Sequence, residues 1–241
     1  MRPDGTPRRA LAIVAKYPRP GRVKTRLAAT IGAERAARLY RAFLLDLAAR
    51  FTPAASREGY TLIWAHTPDP GNLREIVGAG GRLLIQRGHD LAERLHQICA
   101  DLAAVGYQQV VIISSDSPHL PTASVRDAFA ALGKTPVALA PCEDGGYSLI
   151  GLRATPRVPE LFRGIRMSTP RVCADTLARA TALGLAVRQL PTTFDVDEAP
   201  DLCRLAVALG RPGAGVAEAP HTSALLIELG IGGVADHATP L

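Results

Sequence analysis

The sequence predicts an α/β protein with a doubly wound, mostly parallel sheet that carries helices on both faces. Apolar runs long enough for buried strands alternate with segments whose apolar residues recur at helical spacing. Turn residues such as Gly, Pro and Asp separate these segments, and the 241-residue chain shows no internal repeat. Strands that alternate with helices along a whole chain are typical of parallel sheets, because each crossover between parallel strands needs a connecting helix.

Composition narrows the class of protein further. A chain with 47% hydrophobic and 21% charged residues can bury a substantial core. No apolar run approaches the roughly 20 residues of a membrane span, and the first residues lack the apolar region of a signal peptide. We therefore expect a cytoplasmic protein without a membrane span. The four cysteines are widely spaced and form no CxxC, so we expect reduced thiols.

The net charge of +6 raises the question of a nucleic-acid partner. However, the arginines are scattered through every predicted helix, and aromatic residues make up only 5% of the chain. This is too few for base-stacking surfaces. We expect no nucleic acid as a partner.

Each predicted strand is a short apolar run bounded by turn signals. The run at 109–114, Gln-Val-Val-Ile-Ile-Ser, is the clearest central strand, because it is apolar almost throughout and a parallel strand is buried on both faces. The predicted strands are 10–15, 60–65, 82–86, 109–114, 136–141, 147–152 and 185–190.

The helices are predicted from apolar stripes and from residues that begin helices. Asp90, with Glu93 three residues later, predicts a capped N-terminus, and Thr169 with Pro170 predicts an N-cap followed by a first-turn proline. The predicted helices are 33–51, 73–77, 90–105, 121–132, 169–183, 199–209 and 223–229. We divide the chain into a flexible arm (1–9), a main domain (10–209) and a C-terminal linker with a packing helix (210–241). The apolar helix of that tail is compatible with a homodimer.

A basic segment, Lys16–Leu27, follows the first strand directly. It carries cations at positions 16, 19, 22, 24 and 26. Gly21 allows close backbone approach, and the cations supply charge that a polyphosphate needs. We therefore expect it to bind nucleotide phosphates, with a solvated turn as the alternative. Because Lys24 and Arg26 diverge at a helical start, we expect one to meet phosphate and the other to pair with a carboxylate.

Two familiar phosphate motifs do not describe this segment. Pro18 and Val23 occupy positions where a Walker A sequence needs glycine, and GxGxxG is absent there. A near match to GxGxxG at Gly230–Ala235 lies in the tail. ATPase and dinucleotide-binding readings are therefore not favoured.

Three aspartates predict a site for a hard cation. Asp116 lies just beyond the strand 109–114, at the sheet edge where ligands of α/β proteins bind, and its carboxylate suits magnesium. Asp195 and Asp197 share one side of an extended chain and could complete the site with it. The alternative is that these residues cap turns and helices, and Asp197 fits as the cap of the helix at 199.

A tight turn, Glu143–Tyr147, contains two adjacent carboxylates followed by two glycines. It could wrap a ribose or an acceptor molecule, or it could simply be a hairpin turn. The residues concerned are Glu143, Asp144, Gly145, Gly146 and Tyr147. His119 lies near Ser115 and Ser117, but without GxSxG or an orienting acid this is not a hydrolase triad.

These motifs, in this order, resemble a known family. They are Lys16-x-Pro-x-x-Gly-x-x-Lys-Thr-Arg-Leu27, Gln86-x-Gly-x-Asp-Leu91, Ser115-Asp-Ser-Pro118, Glu143-Asp-Gly-Gly-Tyr147, and Asp195-Val-Asp197 with Asp201-Leu202. The chain resembles bacterial GT-A-type transferases of the nucleotide-diphospho-sugar transferase superfamily, some labelled glycosyltransferases of arsenosugar biosynthesis. It is more distantly similar to 2-phospholactate guanylyltransferase and molybdenum cofactor guanylyltransferase. The resemblance covers about residues 10–209.

The resemblance implies a GT-A, Rossmann-like fold and a role for each motif. Nucleotide binding would fall to Lys16, Gly21, Lys24, Thr25, Arg26 and Gln86. Catalysis would fall to Lys24, Arg26 and Asp116. A Mg²⁺ or Mn²⁺ ion would be held by Asp116 with Asp195 or Asp197. The turn from Glu143 to Tyr147 would line the acceptor side.

One departure from the family pattern bears on the reaction. GT-A glycosyltransferases usually show Asp-x-Asp, whereas Asp116-Ser-Pro118 offers a single carboxylate, as in the nucleotidyltransferase branch. We expect a magnesium-dependent transferase that moves a nucleotidyl group from a nucleoside triphosphate to a small-molecule acceptor. Glycosyl transfer from a nucleotide-sugar is the alternative, and a non-catalytic nucleotide-sensing module is the alternative from another class.

Overall fold

A single sheet of seven strands organises the part of the chain that the structure describes, residues 5–52, 59–154, 157–210 and 219–231. The structure is a computed structural model. The strands are β1 (Arg9–Ala15), β2 (Tyr60–His66), β3 (Arg82–Ile85), β4 (Gln109–Ser114), β5 (Val137–Pro141), β6 (Tyr147–Arg153) and β7 (Val187–Gln189). Their spatial order is β3-β2-β1-β4-β6-β5-β7. Only β6 runs antiparallel to its neighbours, so the predicted mostly parallel sheet is confirmed.

The reversal of β6 follows from its short connection to β5. Parallel neighbours need a long crossover, whereas antiparallel strands can be joined by a tight turn. Here residues 142–146 make that turn, with Cys142 N–H donating to the Gly146 carbonyl at 2.9 Å. The hairpin reading of this segment is therefore confirmed.

Eight helices lie in the described ranges. They are α1 (Thr25–Ile31), α2 (Ala33–Phe51), α3 (Arg74–Val77), α4 (Leu91–Ala104), α5 (Thr122–Leu132), α6 (Val172–Ala182), α7 (Ala199–Leu209) and α8 (Pro220–Glu228). The predicted N-cap of α4 is confirmed, because the Asp90 carboxylate accepts from Glu93 N–H at 2.8 Å. The helix α1 was not predicted as a separate element.

The predicted starts of α6 at 169 and of α8 at 223 were wrong, and so was the suggested cap of α7 at Asp197. The helix α6 begins at Val172 with Arg171 as its N-cap residue. Thr169 instead donates its hydroxyl to the Arg166 carbonyl, in a turn that precedes the helix. The N-cap residue of α7 is Glu198 rather than Asp197, and Asp201 accepts from the backbone N–H groups of both. Before α6 the chain makes an extra turn that helix-start preferences alone do not reveal.

The core lies on both faces of the sheet because strand side chains alternate in direction. In β1, Leu11 and Ile13 pack into one apolar cluster, with Trp64 and helices α1, α2, α5, α7 and α8. Ala10 and Ala12 pack into the other, with α4 and α6. Helices on both faces are what a doubly wound sheet requires.

The strand order places a topological switch point between β1 and β4. The chain proceeds outward from β1 through β2 to β3, and then crosses back to β4 on the other side of β1. Connections that leave β1 and β4 in opposite directions open a crevice at their carboxyl ends, where ligands bind in such sheets. The loops after Ala15 and Ser114 therefore flank this crevice.

The C-terminal helix α8 packs on α2 through a buried carboxylate. Asp46, 1% exposed, accepts from His221 N–H at 3.0 Å and from both N–H and hydroxyl of Thr222 at 2.8 and 2.6 Å. These bonds satisfy amide groups that a helix start leaves without partners. Residues 1–4 of the arm and residues 211–218 and 232–241 of the tail lie outside the described residues, and the domain boundaries stay predictions. None of the described helices combines the length and apolar character of a membrane span.

Candidate active site

A cleft of about 920 Å³ opens at the carboxyl ends of β1 and β4. It brings together most of the residues singled out in the sequence. These are Lys16, Lys24, Thr25, Arg26, Gln86, Asp116, Asp144, Gly146, Tyr147, Asp195 and Asp197. Gly21, Glu143 and Gly145 are not part of its lining.

The basic segment forms one wall of the cleft. It leaves β1 through tight turns, with Arg22 N–H donating to the Arg19 carbonyl at 3.0 Å. Gly21 adopts a left-handed backbone with φ of 72°. Glycine is therefore needed at this position for the turn, and not because the residue lines the cleft. The segment enters α1 after Lys24, whose own φ of 47° is unusual for a residue with a side chain. Strained backbone of this kind is concentrated at functional sites.

The Lys24 ammonium is the electrostatic centre of the cleft. Its Nζ lies 2.5 Å from Asp116 Oδ1 and 3.1 Å from Asp197 Oδ1, and it donates to the Val196 carbonyl at 2.7 Å. The Lys24 side chain is only 3% exposed. Burial opposes its charge, but the charges of Asp116 and Asp197 outweigh burial and raise the pKa of Lys24. The lysine is therefore held charged.

Arg26 also pairs with carboxylates. Its guanidinium contacts Asp197 Oδ2 at 2.6 Å and Glu198 Oε1 at 3.3 Å. We expected one of Lys24 and Arg26 to pair with a carboxylate, and both do. Lys16, by contrast, is exposed, lines the cleft, and has no ion pair within the described ranges.

The three aspartates come from two loops that are bonded to each other. Val196 N–H donates to the Asp116 carbonyl at 3.0 Å, and the Ser117 hydroxyl donates to Asp195 Oδ1. Burial raises the pKa of Asp195 to about 7, and the charge of Asp116 adds to this shift, against the opposing effects of Ser117 and Lys24. Burial is therefore the main reason why a negative charge on Asp195 is unfavourable in this site.

These carboxylates fit a hard divalent cation by donor type and charge. As they stand, no three His, Cys, Asp or Glu side chains of the described part lie close enough to hold a metal ion. An ammonium held by carboxylate oxygens nevertheless shows that this position favours a cation. Mg²⁺ is commonly held by one or two carboxylates plus substrate phosphates. Asp116 with Asp195 or Asp197 suits that arrangement.

Gln86 closes the cleft beside β3. Its side chain is 6% exposed, and its Nε2 donates to the carbonyls of Ala65 at 2.7 Å and Ala15 at 3.4 Å. Two carbonyl oxygens on one side can be satisfied only by the NH₂ group of the amide. The side chain thus ties together the ends of β1, β2 and β3, and offers only its oxygen to a ligand.

The hairpin turn between β5 and β6 forms the opposite wall. Asp144 and Gly146 line the cleft, and Asp144 Oδ1 accepts from Gly146 N–H at 2.9 Å. Gly145 has φ of 88°, and a Cβ there would lie 1.9 Å from the Pro170 carbonyl oxygen. Only glycine allows this turn to pack against the loop before α6. Glu143 binds Arg204 outside the cleft, so its side chain does not reach the predicted acceptor side.

Tyr40 is a cleft residue that the sequence did not reveal. It belongs to the apolar stripe of α2, but its hydroxyl accepts from Lys16 N–H at 3.0 Å and bonds to Ser115 Oγ at 2.8 Å. It thereby joins the loop after β1 to the loop after β4. A buried tyrosine hydroxyl needs a polar partner, and that need was the available signal. Arg94 of α4 and Ser168, with φ of 61°, also line the cleft and were not predicted.

Comparisons with known proteins bear on the family and the fold of the chain. A family profile described as an uncharacterised protein conserved in bacteria (DUF2064) matches residues 50–169. The phosphoenolpyruvate guanylyltransferase of Chloroflexus aggregans (strain MD-66 / DSM 9485) is 28% identical over 140 residues, which make up 56% of this chain. The match spans 66% of that relative, just under two thirds of its length.

Two solved structures resemble the chain to different extents. A protein of Desulfovibrio desulfuricans G20, provisionally described as a nucleotide-diphospho-sugar transferase, is 32% identical with a TM-score of 0.82, covering 92% of this chain and 95% of its own. The 4-diphosphocytidyl-2C-methyl-D-erythritol synthase of Anaerococcus prevotii DSM 20548 is 9% identical with a TM-score of 0.56, covering 85% and 99% respectively. The second likeness shows the fold alone.

Proposed function

The chain belongs to the DUF2064 family of bacterial proteins, and we propose that it is a metal-dependent nucleotidyltransferase that uses a nucleoside triphosphate. One observation carries the proposal. The cations of the basic segment and the carboxylates of two other loops face the same cleft at the switch point of the sheet. The guanylyltransferase relative supports GTP as the donor.

The carboxylates would hold the divalent cation. Asp116 with Asp195 or Asp197 would bind Mg²⁺ or Mn²⁺, which supplies charge neutralisation at the phosphate oxygens when bound. Phosphate charge is the main obstacle to attack by an anionic or polar oxygen. Positioning and electrostatic stabilisation therefore account for most of the catalysis in phosphoryl-type transfers.

The cations of the basic segment would stabilise the leaving group. An oxygen of the acceptor attacks the α-phosphorus, a new P–O bond forms, and the bond to the β-phosphate bridge breaks to release pyrophosphate. Lys16 has no competing carboxylate in the described part of the chain, so it is the cation most ready to meet the phosphates. Lys24 and Arg26 would follow by exchanging carboxylate oxygens for phosphate oxygens.

The acceptor would meet the hairpin wall. The relative's name points to a phosphorylated carboxylic acid such as phosphoenolpyruvate. A phosphate acceptor attacks through an oxygen that is already deprotonated at neutral pH, so it needs no general base. Asp144 and Gly146 supply polar and backbone groups on that side, which Tyr147 also lines.

Glycosyl transfer is the second candidate. It is favoured by the likeness to the Desulfovibrio protein, which is more similar in sequence than the guanylyltransferase. In that reaction the acceptor oxygen attacks the anomeric carbon, and a nucleoside diphosphate leaves. The two reactions differ in the leaving group, which an assay can identify.

The test measures both leaving groups with the same protein. We expect pyrophosphate release from GTP that depends on phosphoenolpyruvate and on Mg²⁺, and no nucleoside diphosphate release from nucleotide-sugars. Asp116→Asn keeps the shape of the side chain and should lower kcat at least about a hundredfold. Asp127→Asn, in an exposed pair with Arg126 on α5, is the matched control and should leave the rate unchanged.

Three other results would contradict the proposal. Nucleoside diphosphate release without pyrophosphate would support the glycosyltransferase. An unchanged rate in Asp116→Asn would remove that residue from the site. Nucleotide binding seen by thermal shift without turnover of any pair of substrates would support a sensing module.

A further inference from the structure

A column of three flat groups packs against the segment that carries Asp195 and Asp197. The His119 ring stacks on the Phe194 ring with centroids 4.0 Å apart and 26° between the planes. The Arg204 guanidinium lies 3.9 Å from the centroid of the same ring. Two groups that close to one ring centre must occupy its opposite faces, so Phe194 is clamped between them.

His119 is the buried end of this column. It is 3% exposed, and its Nε2 lies 3.2 Å from Thr193 Oγ1. Burial, and then the charges of Arg50 and Arg204, lower the pKa of His119 to about 4. The ring is therefore neutral near pH 7 and stacks on Phe194 without adding charge next to the guanidinium.

Arg204 is the exposed end, and it reaches the hairpin wall of the cleft. Its Nη1 donates to Glu143 Oε2 at 2.7 Å, and its Nη2 donates to Glu143 Oε1. A bidentate pair of this kind fixes geometry as well as charge. Glu143 is adjacent in the chain to Asp144, which lines the cleft. A single guanidinium thus contacts both the acceptor turn and Phe194.

The backbone around Phe194 is bonded on both sides. Thr193 N–H donates to the Pro141 carbonyl at 3.0 Å, and Glu143 N–H donates to the Thr193 carbonyl at 3.2 Å. On the other side, Ser117 Oγ lies 3.2 Å from the Phe194 carbonyl oxygen, which shares the single hydroxyl proton with the closer Asp195 Oδ1. Asp195 is the next residue, so a displacement of Phe194 would be passed to its carboxylate.

We propose that Arg204 is a positioning residue that, with Phe194 and Glu143, holds the Asp195–Asp197 segment in register with the acceptor turn. The residue touches no part of the proposed substrates, and it acts through its two partners. The catalytic part of this inference rests on the proposed nucleotidyltransferase function. The structural part, that the column orders residues 193–198, does not depend on that function.

The experiment compares Arg204→Met with Arg38→Met. Both arginines pair with the two carboxylate oxygens of a glutamate in another segment, Arg204 through Nη1 and Nη2 and Arg38 through Nη2 alone. Their side chains are 42% and 54% exposed. Only Arg204 stacks on Phe194. The measurements are amide hydrogen exchange at 193–198 without metal, the Kd for Mn²⁺ alone, and kcat and KM for pyrophosphate release from GTP.

We expect Arg204→Met to speed exchange at 193–198 and to weaken Mn²⁺ binding about two- to fivefold, the range that a stacked surface guanidinium provides. The kcat should fall by a similar factor, with less change in the KM for GTP. The Tm of Arg204→Met should be no lower than the Tm of Arg38→Met. Arg204→Lys should not restore these values, because an ammonium cannot bind Glu143 bidentately while stacking on a ring. Glu143→Gln should have less effect in the Arg204→Met background than alone.

Two results would overturn the inference. One is that Arg204→Met shows the same amide exchange at 193–198 and the same Kd for Mn²⁺ as Arg38→Met. The other is faster exchange throughout the sheet with a lower Tm, which would make Arg204 a general stabiliser. Failure of the proposed function looks different: the unaltered protein would bind no Mn²⁺ and release no pyrophosphate, while the exchange measurement would still decide whether Arg204 orders the segment.

Discussion

Replacing Lys24 with methionine should lower stability and, at the same time, strengthen metal binding. Methionine keeps the length of the buried stem and its contacts with the rings of Tyr40 and Phe43, which lie 6.0 and 5.6 Å from the ammonium. The left-handed backbone at position 24 is equally unfavourable for both side chains. The substitution therefore removes the charge and little else.

The expected loss in the free energy of unfolding follows from the groups that the ammonium contacts. Methionine leaves two carboxylates and the Val196 carbonyl without the donor that lies 2.5 to 3.1 Å away. Breaking a fully buried pair costs about 3–5 kcal/mol, and an exposed pair contributes at most about 1 kcal/mol. Asp116 and Asp197 are 37% and 30% exposed, so we expect about 2 kcal/mol, or a Tm lower by about 4–8 °C for a chain of this size.

The effect on metal binding should have the opposite sign. Lys24 competes with a divalent cation for the same oxygens, and unit charges about 5 Å apart interact by about 3 kcal/mol at an effective dielectric constant of 20. We expect Mn²⁺ to bind Lys24→Met at least about tenfold more tightly, as measured by electron paramagnetic resonance titration, and Mg²⁺ to restore much of the lost Tm. Turnover should nevertheless be lost, because the cation that would neutralise the phosphates is gone.

Lys134→Met is the matched control, since Lys134 is exposed on the connection after α5 and has no ion pair in the described ranges. A Tm within about 1 °C of the unaltered protein would refute the stability argument. Weaker Mn²⁺ binding in Lys24→Met than in the unaltered protein would refute the competition.

Two further predictions concern stability. The pKa of His119 is about 4 in the folded protein and about 6.5 when unfolded; the part of the stability that depends on neutral His119 is therefore complete above pH 6.5 and is lost as the pH drops towards 4. This loss should approach about 3 kcal/mol and be absent in His119→Phe. Denaturant unfolding of both proteins across this pH range measures the loss, and equal pH dependence in the two proteins would contradict the prediction. Gly145→Ala should cost more than about 2 kcal/mol and disturb the acceptor wall, because a Cβ there meets backbone. Gly164→Ala, with φ of 79° and open space around its Cβ, should cost only about 1 kcal/mol of backbone strain, and equal Tm values for the two variants would count against the packing argument.

Most of the secondary structure could be predicted from local patterns. The bounds of α2, β4 and α7 agree with the sequence-based expectation to the residue, because each combines a strong apolar period with clear turn signals. The start of α6 was wrong since Thr169 bonds to the Arg166 carbonyl in a turn before the helix, and the next residue, Pro170, packs closely against Gly145. No helix-start preference contains that contact.

The sequence predicted which residues lie in the candidate site better than it predicted which of them form ion pairs. Parallel strands end at one sheet edge, so polar residues just after Ala15, Ser114 and Pro141 had to converge there. Which cation would pair with which carboxylate depended on the path of α1 and the segment at 193–197. Glu143 illustrates the limit, because Arg204 lies 61 positions further along the chain and no local pattern joins them.

The sequence by itself determined the α/β class, the order of the strands and the cationic character of the loop after β1, because these depend on periodicity and composition over neighbouring residues. Only the tertiary structure decided that Lys24 bridges Asp116 and Asp197, that Tyr40 joins two loops, and that Phe194 lies between His119 and Arg204. The contacts of Lys24 and Tyr40 join residues from 24 to 173 positions apart. The contacts of Phe194 place its ring between side chains of two other segments. They are set by the packing of the whole sheet and its helices, which is a property of the folded chain rather than of any segment.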